Sequence, residues 1–259
     1  MPHRLEHTMR YVRMLDGVYA AKSTCGAFGW CMFDYHTNSD FGSGDRICYH
    51  GVLDMFRNPK IAAGVFTAMG KTPFMDVTFS AELGDYPEAV IEGTYCLTNC
   101  DTVRYYKAGT FIKEYTHADS PFKHIPNAPI LLDNIQSGWG SEANEITLEG
   151  YIDGKLAVTE KIGSMFSYTL EVTPTSTVLH ENNSYDVAEV HIVARDQFGN
   201  VCPYVNKAVK LSTSGAIELI GPDVIALQGG MFGTYVKTVG KLGKGTLRVD
   251  GVEVEFEVN

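Results

Sequence analysis

The stretch "GAFGWCMFDYHTNSDFGSGDRICYHGVLDMFRNPKIAAG", residues 26–64 of a 259-residue chain, decides the architecture. It opens on an apolar and aromatic run that ends at Asp34 and Tyr35, which reads as a short buried strand. "HTNSDFGSGD" is a loop by composition. "NPKIAAGVFTAMG" then reads as a helix, with Asn58 as cap, Pro59 at the first helical position and Gly70 at the exit. Upstream, Leu5, Met9, Val12, Leu15 and Tyr19 recur at three and four residues, which is one face of an amphipathic helix. Helix, strand, long loop, helix is the repeat unit of an α/β barrel or an open parallel sheet.

Downstream the pattern changes to period two. "AVIEGTYCLT", "TVRYYK", "TFIKEY", "NEITLEGYID" and "KLAVTEKI" are short, β-branched and aromatic, and "KAG" and "DG" separate them as turns. Farther on, "DVAEVHIVARDQFGN" alternates at Ala188, Val190, Ile192 and Ala194. Val252, Val254, Phe256 and Val258 alternate with Glu253, Glu255 and Glu257, and Asp250-Gly251 joins that strand to "TLRV" as a hairpin. The expected fold is mainly β. An incomplete α/β segment over 1–70 is followed by two tandem immunoglobulin-like sandwiches over 71–165 and 166–259, each near the size such a sandwich needs. The two share no sequence repeat.

The formal charge of −10 comes without a Lys/Arg block, which argues against a nucleic-acid surface. No run of about 18 apolar residues exists, so no membrane helix is expected. The N-terminus is polar and basic, without the apolar core of a signal peptide. That predicts a cytoplasmic protein, or a periplasmic or secreted one if an export signal lies upstream. Cys25, Cys31, Cys48, Cys96, Cys100 and Cys202 form no CxxC pair and lack His at zinc-ligand spacing, so neither metal nor cofactor is expected. Buried free thiols are the expectation; a disulfide, with Cys96 and Cys100 as the close pair, stays open.

Within the opening segment, Trp30 either fills a core or presents a flat face of the kind that stacks on a sugar ring. Asp34 sits at the strand end, as a ligand contact or a loop cap. His36 and His50 are candidate partners for hydroxyls, or ordinary surface histidines. Asp40, Asp45 and Arg46 can form an ion pair that pins the loop.

The block from Gly26 to Gly64, with "EHTMRYVRMLDGVYA" before it, resembles the last strand, loop and helix of the TIM barrel in β-galactosidase-type enzymes of glycoside hydrolase family 2. "YCLTNCDTVRYYKAGTFI" and "AEVHIVARDQFGNVCP" resemble, more loosely, the sandwich domains that follow that barrel. The resemblance implies a hydrolase of terminal β-linked galactose or a related sugar. It implies that Trp30 forms a wall of the sugar subsite, and that Asp34 and the loop carrying Asp45, Arg46 and His50 shape its mouth. It places both catalytic glutamates on earlier strands, so no residue here is expected to be catalytic, Glu6 included. The implied partners are a carbohydrate substrate and the missing N-terminal barrel segment, with self-association open. The rival expectation is a carbohydrate-binding, adhesion or spacer module, for which Trp139 in "IQSGWGSE" is the candidate platform.

Overall fold

The computed structural model describes residues 2–38, 46–81, 94–133, 135 and 145–259. It divides into two compact units, 1–164 and 165–259, and is mainly β. The candidates Asp40, Asp45 and Trp139 lie outside the described residues.

The first unit runs α1 (Pro2–Ala20), β1 (Tyr35–His36), β2 (Ile47–Cys48), α2 (Ile61–Thr67), β3 (Met75–Val77), β4 (Thr94–Thr98), β5 (Thr102–Lys107), β6 (Thr110–Thr116), β7 (Ile130–Leu132), β8 (Ile146–Ile152) and β9 (Lys155–Ile162). Its sandwich faces a β3-β4-β7 sheet against a β6-β5-β8-β9 sheet. Cys96, Val103, Tyr105, Tyr115, Ile130 and Leu148 fill the space between them, as inward residues of alternating strands must. The helices pack on the outer side of the smaller sheet. There Met9, Val12 and Leu15 of α1 and Val65 of α2 share a second core with Leu97, Ile125 and Ala128. The face read from the heptad-like spacing is thus the buried one, except at Tyr19, which is exposed. Asp16 fastens α1 there: its Oδ1 accepts the backbone N–H groups of Lys123, His124 and Ile125 at 3.0, 2.7 and 3.0 Å.

The second unit runs β10 (Tyr168–Pro174), β11 (Val178–Leu179), β12 (Val187–Asp196), β13 (Ala208–Gly215), β14 (Ile217–Ile220), β15 (Val224–Ala226), β16 (Met231–Thr238), β17 (Gly243–Val249) and β18 (Val252–Val258). A β10-β12-β16-β14 sheet faces a β11-β18-β17-β13-β15 sheet. Ala188, Val190, Ile192 and Ala194 all lie in its core with Val236, Leu247 and Phe256.

Three hairpins use the same turn. Ala108-Gly109, Asp153-Gly154 and Asp250-Gly251 all have positive φ at both positions, the type I′ geometry whose twist matches the flanking strands. A second turn also recurs, once in each unit. In "DMFRN" Asp54 Oδ1 accepts the N–H groups of Phe56 and Asn58 at 2.8 and 2.9 Å, and Oδ2 accepts Asn58 Nδ2 at 2.9 Å. In "DQFGN" Asp196 Oδ1 does the same for Phe198 and Asn200 at 2.8 and 2.8 Å, and Oδ2 for Asn200 Nδ2 at 3.3 Å. The fourth residue has positive φ in both: Arg57 at 60° and Gly199 at 92°.

Two local expectations are corrected. Asn58 does not cap α2; the cap is Lys60, without a side-chain bond, and Asn58 closes the turn with Asp54 instead. The run Phe28–Phe33 is not a buried strand. Among the described residues its backbone bonds run to residues 50–53 alone: Cys31 N–H to His50 at 3.4 Å, Val52 N–H to Cys31 at 3.1 Å and Leu53 N–H to Met32 at 2.9 Å. Apolar residues become a sheet strand only when neighbours supply a ladder and cover both faces.

Candidate functional site

One face of the 28–33 run is closed. Gly29 lies against Tyr11 so tightly that a Cβ there would come within 2.7 Å of the ring. The alternate residues face outward: Phe28, Trp30 and Met32 are 103%, 73% and 61% exposed. Trp30 is therefore not a core residue of this chain. Its indole is nevertheless fixed from one side. Trp30 Nε1 donates to Tyr35 Oη at 3.2 Å, and the rings meet edge to face at 89° with centroids 6.2 Å apart.

Asp34 turns inward from the same segment. Its Oδ1 accepts from Lys60 Nζ at 2.7 Å and from the Gly51 N–H at 2.8 Å. Gly51 can carry no side chain, because a Cβ would sit 2.2 Å from the Asp34 nitrogen. This close approach brings the 50–53 segment alongside 31–34. Asp34 thus closes the loop from within rather than facing solvent.

Next to this segment β1 and β2 pair, with Tyr35 opposite Cys48 and His36 opposite Ile47. Cys48 is buried, and its Sγ lies 3.2 Å from Nδ1 of the exposed His50. The bond to Cys48 is the main cause raising the Tyr35 pKa above its ordinary value. Burial, then the charge of Asp34, holds the Cys31 thiol protonated beyond the usual range. Burial also lowers the pKa of the nearby His7, and Lys60 pushes it the same way. Arg46 is exposed at the end of the loop with φ 60°, and its carbonyl accepts from the Thr37 N–H at 2.9 Å. Arg57 stands over the Phe33 ring at 5.0 Å.

The structure thus brings Trp30, Tyr35, Cys48 and His50 together and withdraws Asp34 into an ion pair. The roles of Tyr35 and Cys48 toward Trp30 were not legible beforehand, since a loop separates the two strands in sequence. Among the described residues no group of three His, Cys, Asp or Glu side chains is placed to hold a metal, and none of the six cysteines is in a disulfide. An exposed indole beside an imidazole can stack on the apolar face of a ligand and hydrogen-bond its hydroxyls. Among the described residues, the carboxylate of the same segment, Asp34, is already paired with Lys60.

No protein-family model matches the chain. It is 35% identical over 240 residues to a β-galactosidase of Thermoanaerobacterium thermosulfurigenes, covering 88% of this chain and 33% of that protein. It is 30% identical over 110 residues to a β-galactosidase of Rhizobium radiobacter, covering 42% of this chain and 79% of that sequence. The solved structure of a β-glucuronidase from glycoside hydrolase family 2 superposes with a TM-score of 0.73 at 19% identity, over 99% of this chain and 27% of that one. The chain spans about a third of the length of the Thermoanaerobacterium relative.

Proposed function

Because the chain belongs to glycoside hydrolase family 2, with β-galactosidases among its relatives, we propose that it supplies one wall of a glycosidase active site whose catalytic carboxylates lie on a preceding barrel segment. The complete enzyme hydrolyses a terminal β-linked galactose, or a related sugar, through a glycosyl-enzyme intermediate. Trp30 stacks on the sugar ring, and His50 and the loop through Asp45 and Arg46 shape the mouth. The observation that carries this reading is the exposed yet anchored indole of Trp30 in the middle of the 28–33 run.

The same geometry supports a binding rather than a reacting role. A retaining glycosidase needs two carboxyl groups about 5–5.5 Å apart. Near Trp30 the described carboxylate is Asp34, held by Lys60 and Gly51. Phe28 and Met32, exposed on either side of Trp30, are apolar enough to meet further barrel strands, and such a contact would resemble an obligate interface.

The purified chain is expected not to hydrolyse aryl β-galactosides. Co-expression with the preceding barrel segment of the same enzyme is expected to restore turnover. Trp30→Ala then co-purifies with that segment and turns over several-fold to tens of times more slowly, since an aromatic face contributes about 0.5–2 kcal/mol. Loss of association in Trp30→Ala makes the residue part of the interface and removes the sugar-wall role. An unchanged rate in the assembled variant does the same.

A further inference from the structure

The contacts around Trp30 form a chain of four side chains. Trp30 Nε1 donates to Tyr35 Oη at 3.2 Å. Tyr35 stands directly opposite Cys48 in the β1–β2 pair. Cys48 Sγ is 3.2 Å from His50 Nδ1. Trp30 and His50, the two exposed ends, are thereby joined through Tyr35 and the buried Cys48.

An indole that is 73% exposed has little packing to choose its rotamer. A mobile ring must be ordered when a ligand arrives, and that cost subtracts from affinity. Tyr35 removes the need. Its backbone is fixed by pairing with β2, and Thr37 N–H to the Arg46 carbonyl at 2.9 Å extends the pairing past it. The hydroxyl accepts from the indole N–H, and the ring edge meets the indole beside it. A phenylalanine at position 35 would keep the edge-to-face contact and lose that bond.

We propose that Tyr35 is a positioning residue of the sugar site: its hydroxyl, seated between Trp30 and Cys48, holds the indole at the angle from which it meets the ligand and sets its spacing from His50. This rests on the reading of Trp30 as a sugar wall. Tyr35 itself touches no substrate.

Two measurements test it. In the full chain with Trp139→Phe, Trp30 is the one remaining tryptophan. Time-resolved fluorescence anisotropy is expected to show the indole moving with the protein. Tyr35→Phe should add a fast component of at least twice the original amplitude, with the melting temperature little changed. In the chain assembled with its barrel segment, Tyr35→Phe should raise KM for an aryl β-galactoside three- to tenfold while kcat changes less than twofold. Unchanged anisotropy in Tyr35→Phe overturns the proposal, and so does a loosened indole with unchanged KM. If Trp30→Ala raises KM and Tyr35→Phe does not, the positioning role alone fails. If Trp30→Ala leaves both constants unchanged, the sugar-wall reading fails and takes the positioning role with it.

Discussion

Lys60 Nζ stands 2.7 Å from Asp34 Oδ1, with the two side chains only 8% and 4% exposed. A buried pair of this kind contributes little net stability, yet removing one member strands the other charge. Lys60→Met is therefore expected to destabilise the first unit by about 3 kcal/mol in urea denaturation. The double variant Asp34→Asn, Lys60→Met should lose much less than the two single losses combined. Additive losses would show that the pair is not coupled.

The second unit offers a test of backbone conformation against crowding. Gly199 and Gly230 both have positive φ, 92° and 80°. A Cβ on Gly199 meets nothing within 4 Å, whereas one on Gly230 would lie 2.3 Å from the Cys202 carbonyl oxygen. Gly199→Ala should cost about 1 kcal/mol, the dihedral penalty alone. Arg57, in the same position of the matching turn, shows that a side chain fits there. Gly230→Ala should cost at least twice as much by thermal denaturation. Equal costs would remove the steric argument.

Acid titration should report on the edge of the first sandwich, where β3 and β9 lie together. Burial, with Asp76 nearby, pushes the Glu160 pKa up to about 7. Burial pushes Asp76 up to about 6, against a bond from the Val77 N–H. Raised carboxyl pKa values mean that the folded state holds these protons more tightly than the unfolded chain. Their contribution is therefore fully present at pH below about 4 and is lost as pH rises through about 6 and 7. Glu160→Gln should gain stability relative to wild type between pH 5 and pH 8, by on the order of 1 kcal/mol at the upper end. A difference that does not vary with pH would rule out the titration of Glu160 as its source.

Tyr11 packs its ring against Gly29 and Phe66, but its buried hydroxyl has no hydrogen-bond partner among the described residues. An unsatisfied buried donor carries a desolvation penalty. Tyr11→Phe should raise the stability of the first unit by about 1 kcal/mol, read as a higher urea midpoint at unchanged slope. A loss instead would show that the hydroxyl is satisfied.

The sheets were legible where a local rule decides. The alternation from Ala188 to Ala194 and the glycines at 109, 154 and 251 each specify their own conformation, and each forms as expected. The 28–33 run was not legible as it stands, because apolar content alone does not say whether a ladder exists to receive it. Asn58 satisfied the capping rule yet found a better acceptor in Asp54, four residues back. The indole of Trp30 could be noticed, but its anchor could not: Tyr35 meets Cys48 only because a loop of unspecified length returns the chain in register. Asp34 was readable by position as a ligand contact or a loop cap, and its partner Lys60 lies 26 residues away, beyond what the local pattern specifies.

The bond from Asp16 to the amides of residues 123–125 spans at least 107 positions in the chain. During synthesis α1 therefore leaves the ribosome long before the segment that receives it. At roughly 5–20 residues per second, the wait is about 5–20 s. Over that interval Val65 and then Leu97 emerge to meet the apolar face of Met9, Val12 and Leu15, and Ile125 and Ala128 complete its cover last. The nascent chain thus covers this helix face in stages, and the polar fastening at Asp16 waits for the last of them.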